Sequence, residues 1–255
     1  MGRMTAPSLR ARVRAEMIEE IKSAARRHLA ADGANLSLRA VARELGMVSS
    51  ALYRYFASRD DLLTALIIDA YNVLGEAAER ADATVTDRTD LAGRWLAVCH
   101  AVRGWALANP HEYALIYGSP VPGYRAPQDT VGPASRPTLV LGAILRDGVA
   151  AGRLSGWEHD VLPRGVAADL RRLTGPDALP GVPVKLLARG MAAWIQLFGT
   201  VSFELFGRFI NVLDDPAAFF DLQMRRTAAQ LGLGTPPSRR SPRPPRRGRT
   251  PGASS

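Results

Sequence analysis

The sequence predicts an all-α protein, and three observations predict it. Apolar residues recur at three- and four-residue intervals along most of the 255-residue chain, the period of a helix face. No convincing alternating apolar–polar run suggests a strand. Two short helical segments meet at Gly46, which places a small helix-turn-helix unit ahead of a larger helical one. About nine or ten helices are expected in all.

In the first segment Val13, Met17, Ile21, Ala25 and Leu29 follow one another every four residues, and Gly33 ends the helix. Ser37 then caps a short helix, LRAVAREL, that Gly46 closes. A third short helix runs through Phe56. Ser58 and Asp61 form an S-x-x-D cap for a longer fourth helix, whose Leu62, Leu63, Leu66, Ile67, Ala70 and Leu74 share a face. A helix over 90–109 must stop before Pro110, because proline disfavours helical geometry in the residue before it. Asn109 is placed to cap the next short helix, with Pro110 at its first position. Residues 118–137 carry enough proline and glycine to predict a long irregular loop. Helices resume at 138–151, 160–173, 184–209 and 216–231. Beyond Gly234 the Arg- and Pro-rich run reads as a disordered tail. The expected organisation is a disordered basic arm (1–12), a helix-turn-helix unit (13–58), a larger helical domain (59–233) and the disordered tail (234–255).

Charge narrows the partners. The net charge is +9, with six arginines and no acid in residues 239–249. Within residues 1–60, 11 basic side chains face 6 acidic ones, so both ends are positive and suit a polyanion. One cysteine, Cys99, excludes an internal disulfide framework and fits a reducing cytoplasm. No uninterrupted apolar run reaches the 18 residues of a membrane span, and no signal peptide opens the chain, so no membrane partner is expected. The four histidines, at 28, 100, 111 and 159, have no metal-ligand spacing. No HExxH, GxSxG, Walker A or GxGxxG motif occurs, and neither an enzyme, a cofactor nor a metal is expected.

The segment GMVSSALYRYFASRDDLLTAL, residues 46–66, carries the functional signal. Leu38, Val41, Ala42, Leu45, Leu52 and Phe56 close a small core against the first helix. Outward, the third helix is small and polar at its start and aromatic or basic toward its end. Small side chains let a helix N-terminus enter a major groove about 12 Å wide. Tyrosine hydroxyls and arginines then reach flanking phosphates, which fix register without reading bases. Candidate DNA contacts are Ser37, Arg39, Met47, Val48, Ser49, Ser50, Ala51, Tyr53, Arg54, Tyr55 and Arg59. Arg3, Arg10, Arg12 and Arg14 of the arm can track the backbone.

Over residues 13 to about 66 the chain resembles the N-terminal domain of the tetracycline-repressor (TetR) family. Ser37, Ala42, Gly46, Leu52, Tyr53, Phe56, Arg59 and Asp61 carry the resemblance. The family usually has Ser or Thr where this chain has Val48. The cap either shifts to Ser49 or is missing, at a cost of roughly 1 kcal/mol. The resemblance implies a cytoplasmic homodimeric transcription regulator, most often a repressor, that binds a palindromic double-stranded DNA operator and is released by a small-molecule effector. It also implies a C-terminal ligand-binding and dimerisation domain. Candidate ligand contacts are Trp95, Cys99, His100, Arg103, Trp105, Tyr113, Tyr117, Trp194, Gln196 and Phe198. Polar residues on largely apolar helices, such as His100, Arg103 and Gln196, are the stronger of these.

The 184–209 helix is apolar nearly all round, so it needs cover on two sides, and a second subunit is the economical cover. Leu187, Met191, Val201 and Leu205 of its stripe, with Phe219 and Phe220, are the expected dimer interface. Two competitors remain: a constitutive architectural protein that coats DNA through arm and tail, and a regulator that senses a protein partner through 118–137.

Overall fold

The computed structural model describes residues 8–32, 36–174 and 179–234. Arg3 of the arm, Gly33 and the tail from Thr235 lie outside the described residues. The described chain is ten α-helices: α1 (Leu9–Asp32), α2 (Leu38–Glu44), α3 (Ser49–Leu52), α4 (Arg59–Thr84), α5 (Leu91–Ala108), α6 (Pro110–Tyr117), α7 (Val131–Ala150), α8 (Arg164–Arg172), α9 (Val184–Leu205) and α10 (Pro216–Leu231). No strand occurs among the described residues.

α4 is the spine. Its first turns bury Leu62, Leu63 and Leu66 in an N-terminal core with Ile21, Ala24 and Ala25 of α1, Val41 of α2, and Leu52 and Phe56. Further along, Ala70, Leu74 and Ala78 enter a second, larger core with α5, α7, α9 and α10. Salt bridges at 2.7 Å from Lys22 and Arg26 to Asp69 fasten α1 to α4 where the two cores meet. At the far end, Arg94 of α5 is only 1% exposed. Its Nε donates to Asp82 at the end of α4 (2.8 Å), and another of its nitrogens donates to Asp147 of α7 (2.9 Å). A buried guanidinium is tolerated because both partners are carboxylates.

The segment read as a loop over 118–137 differs from expectation. A short 3-10 turn at Gln128–Thr130 leads directly into α7, which begins at Val131. Pro133 falls in the first turn, where a missing N–H has no intrahelical partner to lose. Pro137 is inside the helix and buried, and α7 continues through it. The remainder of the segment is packed down. Val121 is buried in the N-terminal core, and the Tyr124 hydroxyl lies 2.9 Å from that of Thr64 on α4.

Three smaller differences have local causes. Asn109 does not cap α6; its Nδ2 donates back to Trp105 O at 2.8 Å and closes α5 instead. α8 begins at Arg164, after Pro163, rather than at 160. α9 ends at Leu205, and turns follow. Among the described residues α9 is the one helix long and apolar enough to cross a membrane. It packs against α5, α7, α8 and α10.

Candidate nucleic-acid interface and small-molecule cavity

The turn between α2 and α3 is set by its glycine. Gly46 has φ 64°, in the left-handed region that side chains seldom enter. Its N–H donates to Arg43 O (3.2 Å), and the next N–H, of Met47, donates to Ala42 O (2.8 Å). This pair of bonds is the Schellman closure of α2. At the other end of α2, Ser37 Oγ accepts from Ala40 N at 3.4 Å, so Ser37 is occupied as a cap. α3 starts after Val48, which makes no side-chain cap and is 70% exposed. The cap therefore does not shift to Ser49; the helix start goes uncapped. After Leu52 the helix tightens into turns, with Tyr55 N and Phe56 N both bonded to Leu52 O.

This geometry sorts the side chains. Leu52 and Phe56 point inward and are buried, while Tyr53, one position on from Leu52, is 48% exposed. Arg39, Arg43, Ser50 and Arg54 are exposed; Met47, Ser49 and Ala51 are half-buried. Of the candidate contacts, Ser37, Arg39, Val48, Ser50, Tyr53 and Arg54 are exposed on the helix pair and the turns after it, and Arg43 is an added exposed cation. Arg10, Arg12 and Arg14, expected on the disordered arm, lie instead on α1, which begins at Leu9. Tyr55 is half-buried beneath it: the Arg14 guanidinium lies 5.2 Å from its ring centre and donates to Arg54 O at 3.3 Å. Arg59 turns back toward α2, its Nε donating to Leu36 O at 3.0 Å. A cation–π contact and a carbonyl bond hold Arg14 against the reading helix.

In the larger core a cavity of about 340 Å³ lies between α5, α7, α8 and α9. Trp95, Ser135, Thr138, Leu139, Met191 and Trp194 are among its lining. Of the residues expected to hold ligand, the structure brings Trp95 and Trp194 to this cavity. Tyr113, Tyr117 and Phe198 form an aromatic stack beside it, with Tyr117 and Phe198 centres 4.3 Å apart. The Tyr113 hydroxyl is held at Phe198 O and Ser202, and burial pushes its pKa up to about 12. Burial raises Tyr117 and the Cys99 thiol as well, and Cys99 is enclosed in the core, as is Trp105.

The polar candidates are used elsewhere. Arg103 pairs with Glu204 of α9. His100 Nε2 sits 3.0 Å from Asp221 of α10, and Gln196 donates to Gln223 at 3.0 Å. They brace α5, α9 and α10 against one another. Most of the cavity wall comes from α7 and the end of α8, including Ser135, Thr138, Leu145 and Leu173. Of these, Ser135 lay within the segment read as loop, while Thr138, Leu145 and Leu173 lay in expected helices without being marked as ligand contacts.

The expected dimer residues require correction. Leu187, Val201 and Phe220 are buried within their own chain, and Leu187 and Met191 face the cavity. Leu205 is half-buried, and Phe219 stacks on Phe209. The stripe of Leu187, Met191, Trp194, Phe198, Val201 and Leu205, spaced alternately by four and three residues, is the inward face of α9. A second stripe faces outward: Ile195 (58% exposed), Phe203 (55%) and Phe206 (44%), at spacings of eight and three residues.

A helix-turn-helix with a basic, tyrosine-bearing outer face, built on an all-helical body with an internal cavity, defines a non-enzymatic DNA-binding regulator. Two family models match the chain: bacterial regulatory proteins of the tetR family over residues 21–66, and the tetracyclin repressor-like C-terminal domain over 95–227. The chain is 44% identical over 224 residues to HTH-type transcriptional regulators of Mycobacterium tuberculosis (Rv1816) and Mycobacterium bovis (Mb1846), covering 85% of this chain and 93% of each relative. The crystal structure of SCO4313, described as a regulatory protein, superposes with a TM-score of 0.71 at 35% identity, covering 88% of this chain and all of that one. The chain belongs to the TetR family of transcriptional regulators.

Proposed function

We propose that the protein is a cytoplasmic repressor that binds a palindromic operator as a homodimer and lets go when a small molecule enters the cavity. Residues 13–58 serve as the reading head, and 59–233 as the sensor and dimerisation body. The observation that carries the reading is the outer face of α3, where Tyr53 and Arg54 stand exposed beside Ser50 while Leu52 and Phe56 hold the helix down. Tyr53 and Arg54 reach phosphates, and the short residues at 49–51 approach base edges. Two copies related by a two-fold axis demand half-sites about one helical turn apart, or a multiple of it.

Ligand acts through its differential affinity for two arrangements of the heads, with α4 as the element common to both cores. Selection of binding sites from a random DNA library, followed by footprinting, tests the reading. Tyr53→Ala is expected to lose protection while circular dichroism and melting stay unchanged. Protection as strong as that of the unaltered protein removes Tyr53 from the interface.

A further inference from the structure

We infer that the cavity takes an elongated, uncharged, mostly hydrocarbon molecule with one hydrogen-bond acceptor, and that the indole N–H of Trp194 binds that acceptor. The inference specifies the ligand of the sensor proposed above and rests on that reading for its regulatory meaning.

Three features of the wall converge on this class. First, among the described residues no ionisable side chain lines the cavity; its polar groups are the Ser135 and Thr138 hydroxyls and the two indoles. A carboxylate or ammonium entering it loses hydration and meets no counter-charge. Second, the cavity extends along α7. Its lining positions on α7 run from Val131 to Leu145, about 21 Å at 1.5 Å per residue. At Gly142 and Gly190 opposing leucines fill the space a Cβ would take: Leu179 at 2.1 Å and Leu145 at 2.8 Å. Such a slot suits a chain better than a fused ring.

Third, the two indoles differ. Trp95 Nε1 donates to Met224 O at 3.0 Å, so it is satisfied by the fold. Trp194 Nε1 is buried and has no hydrogen-bond partner among the described residues. Buried donors are almost always paired, and an orphan in a native structure calls for an acceptor from outside the chain. A carbonyl, ester or ether oxygen supplies one without adding charge. Val131 and Ser135 also line the cleft beneath residues 118–130, so the two cavities adjoin at the start of α7.

The test uses the full-length protein and three probes matched in length: 2-undecanone, 2-methyl-1-undecene and decanoate. The alkene replaces the ketone oxygen with a methylene group; the carboxylate adds a charge. Binding is read by melting temperature, which rises for any molecule that binds only the native state, and by tryptophan fluorescence. The ketone is expected to bind roughly two- to tenfold more tightly than the alkene, the net worth of one hydrogen bond. Decanoate at neutral pH should give no shift. Trp194→Phe removes the donor and keeps an aromatic ring, so it should weaken the ketone alone and bring it level with the alkene. Trp157→Phe is the control: it removes a buried indole N–H outside the cavity lining and should leave the ketone-to-alkene ratio intact.

Equal binding of ketone and alkene to the unaltered protein overturns the proposal. So does decanoate binding as well as the ketone, or Trp194→Phe weakening both neutral probes alike. No shift with any probe overturns it too, whereas footprinting on the selected operator reports separately on the DNA-binding reading. A ketone that binds without releasing DNA upholds this ligand class and removes the release mechanism.

Discussion

Tyr53 and Arg39 are both candidates for phosphate contact, and the physics of the contact separates them. A tyrosine hydroxyl offers a neutral hydrogen bond, while an arginine displaces a condensed counterion. Tyr53→Phe should therefore weaken operator binding by about 0.5–1.5 kcal/mol without changing its salt dependence. Arg39→Ala should flatten the log–log salt slope by about 1. Titrations at several salt concentrations decide between them, and an unchanged slope for Arg39→Ala would place that side chain off the DNA. Val48 offers a prediction in the opposite direction. It sits at the start of α3 with extended φ and ψ and no side-chain cap. Val48→Thr supplies an acceptor for the free N–H groups and should raise stability by roughly 1 kcal/mol, seen as a higher urea midpoint at constant slope. The same contrast explains what the sequence could reveal. Gly46, Leu52, Tyr53 and Phe56 lie within eleven residues, so local spacing exposes their roles. Arg103 and His100 find their partners at Glu204 and Asp221, 101 and 121 residues away. No local pattern distinguishes such a brace from a ligand contact.

Among the elements, α7 touches both the cavity and the spine, as α5 does. Ser135 and Thr138 line the cavity, and Arg136 between them reaches the other way to α4. It donates to Asn72 O and Oδ1 at 3.1 and 2.9 Å and makes a two-pronged pair with Glu79. Gly75 permits the approach, since a Cβ there would lie 2.7 Å from that of Arg136. A ligand that shifts α7 must load α4 through this clamp. Arg136→Met keeps the stem and removes the bonds; the partly exposed pair predicts a stability loss of only about 1 kcal/mol. Ligand affinity and operator affinity should each remain near normal, while the coupling between them falls toward zero. Operator titrations with and without ligand measure that coupling; full release by ligand in the variant would exclude the clamp as a route. α7 was half hidden in the sequence because Gly132, Pro133 and Pro137 mimic loop chemistry. A proline in the first turn of a helix and a proline in a loop are locally alike, and only the packing of Pro137 into the core tells them apart.

For the molecule as a whole, the unsettled surface is the outer face of α9. Ile195, Phe203 and Phe206 stand on it, and a Cβ on Gly199 between them would meet no heavy atom within 4 Å, so the face is open and flat there. Ile210, Val212 and Leu222 extend exposed apolar surface toward α10. Contiguous apolar surface of this kind marks an interaction site in a folded protein. A second copy would satisfy it by pairing like with like about a two-fold axis, and in the proposed dimer the same axis would set the spacing of the two reading heads. Ile195→Lys together with Phe203→Glu should yield a folded monomer in sedimentation, because neither side chain belongs to the inner core. Its melting temperature should no longer depend on protein concentration. Operator affinity should fall roughly 10²–10⁴-fold, since binding of the second head ceases to be intramolecular. Affinity for an isolated half-site should be unchanged. A double variant that still sediments as a dimer would move the interface to another face, and one that binds the full operator normally would show that one head suffices.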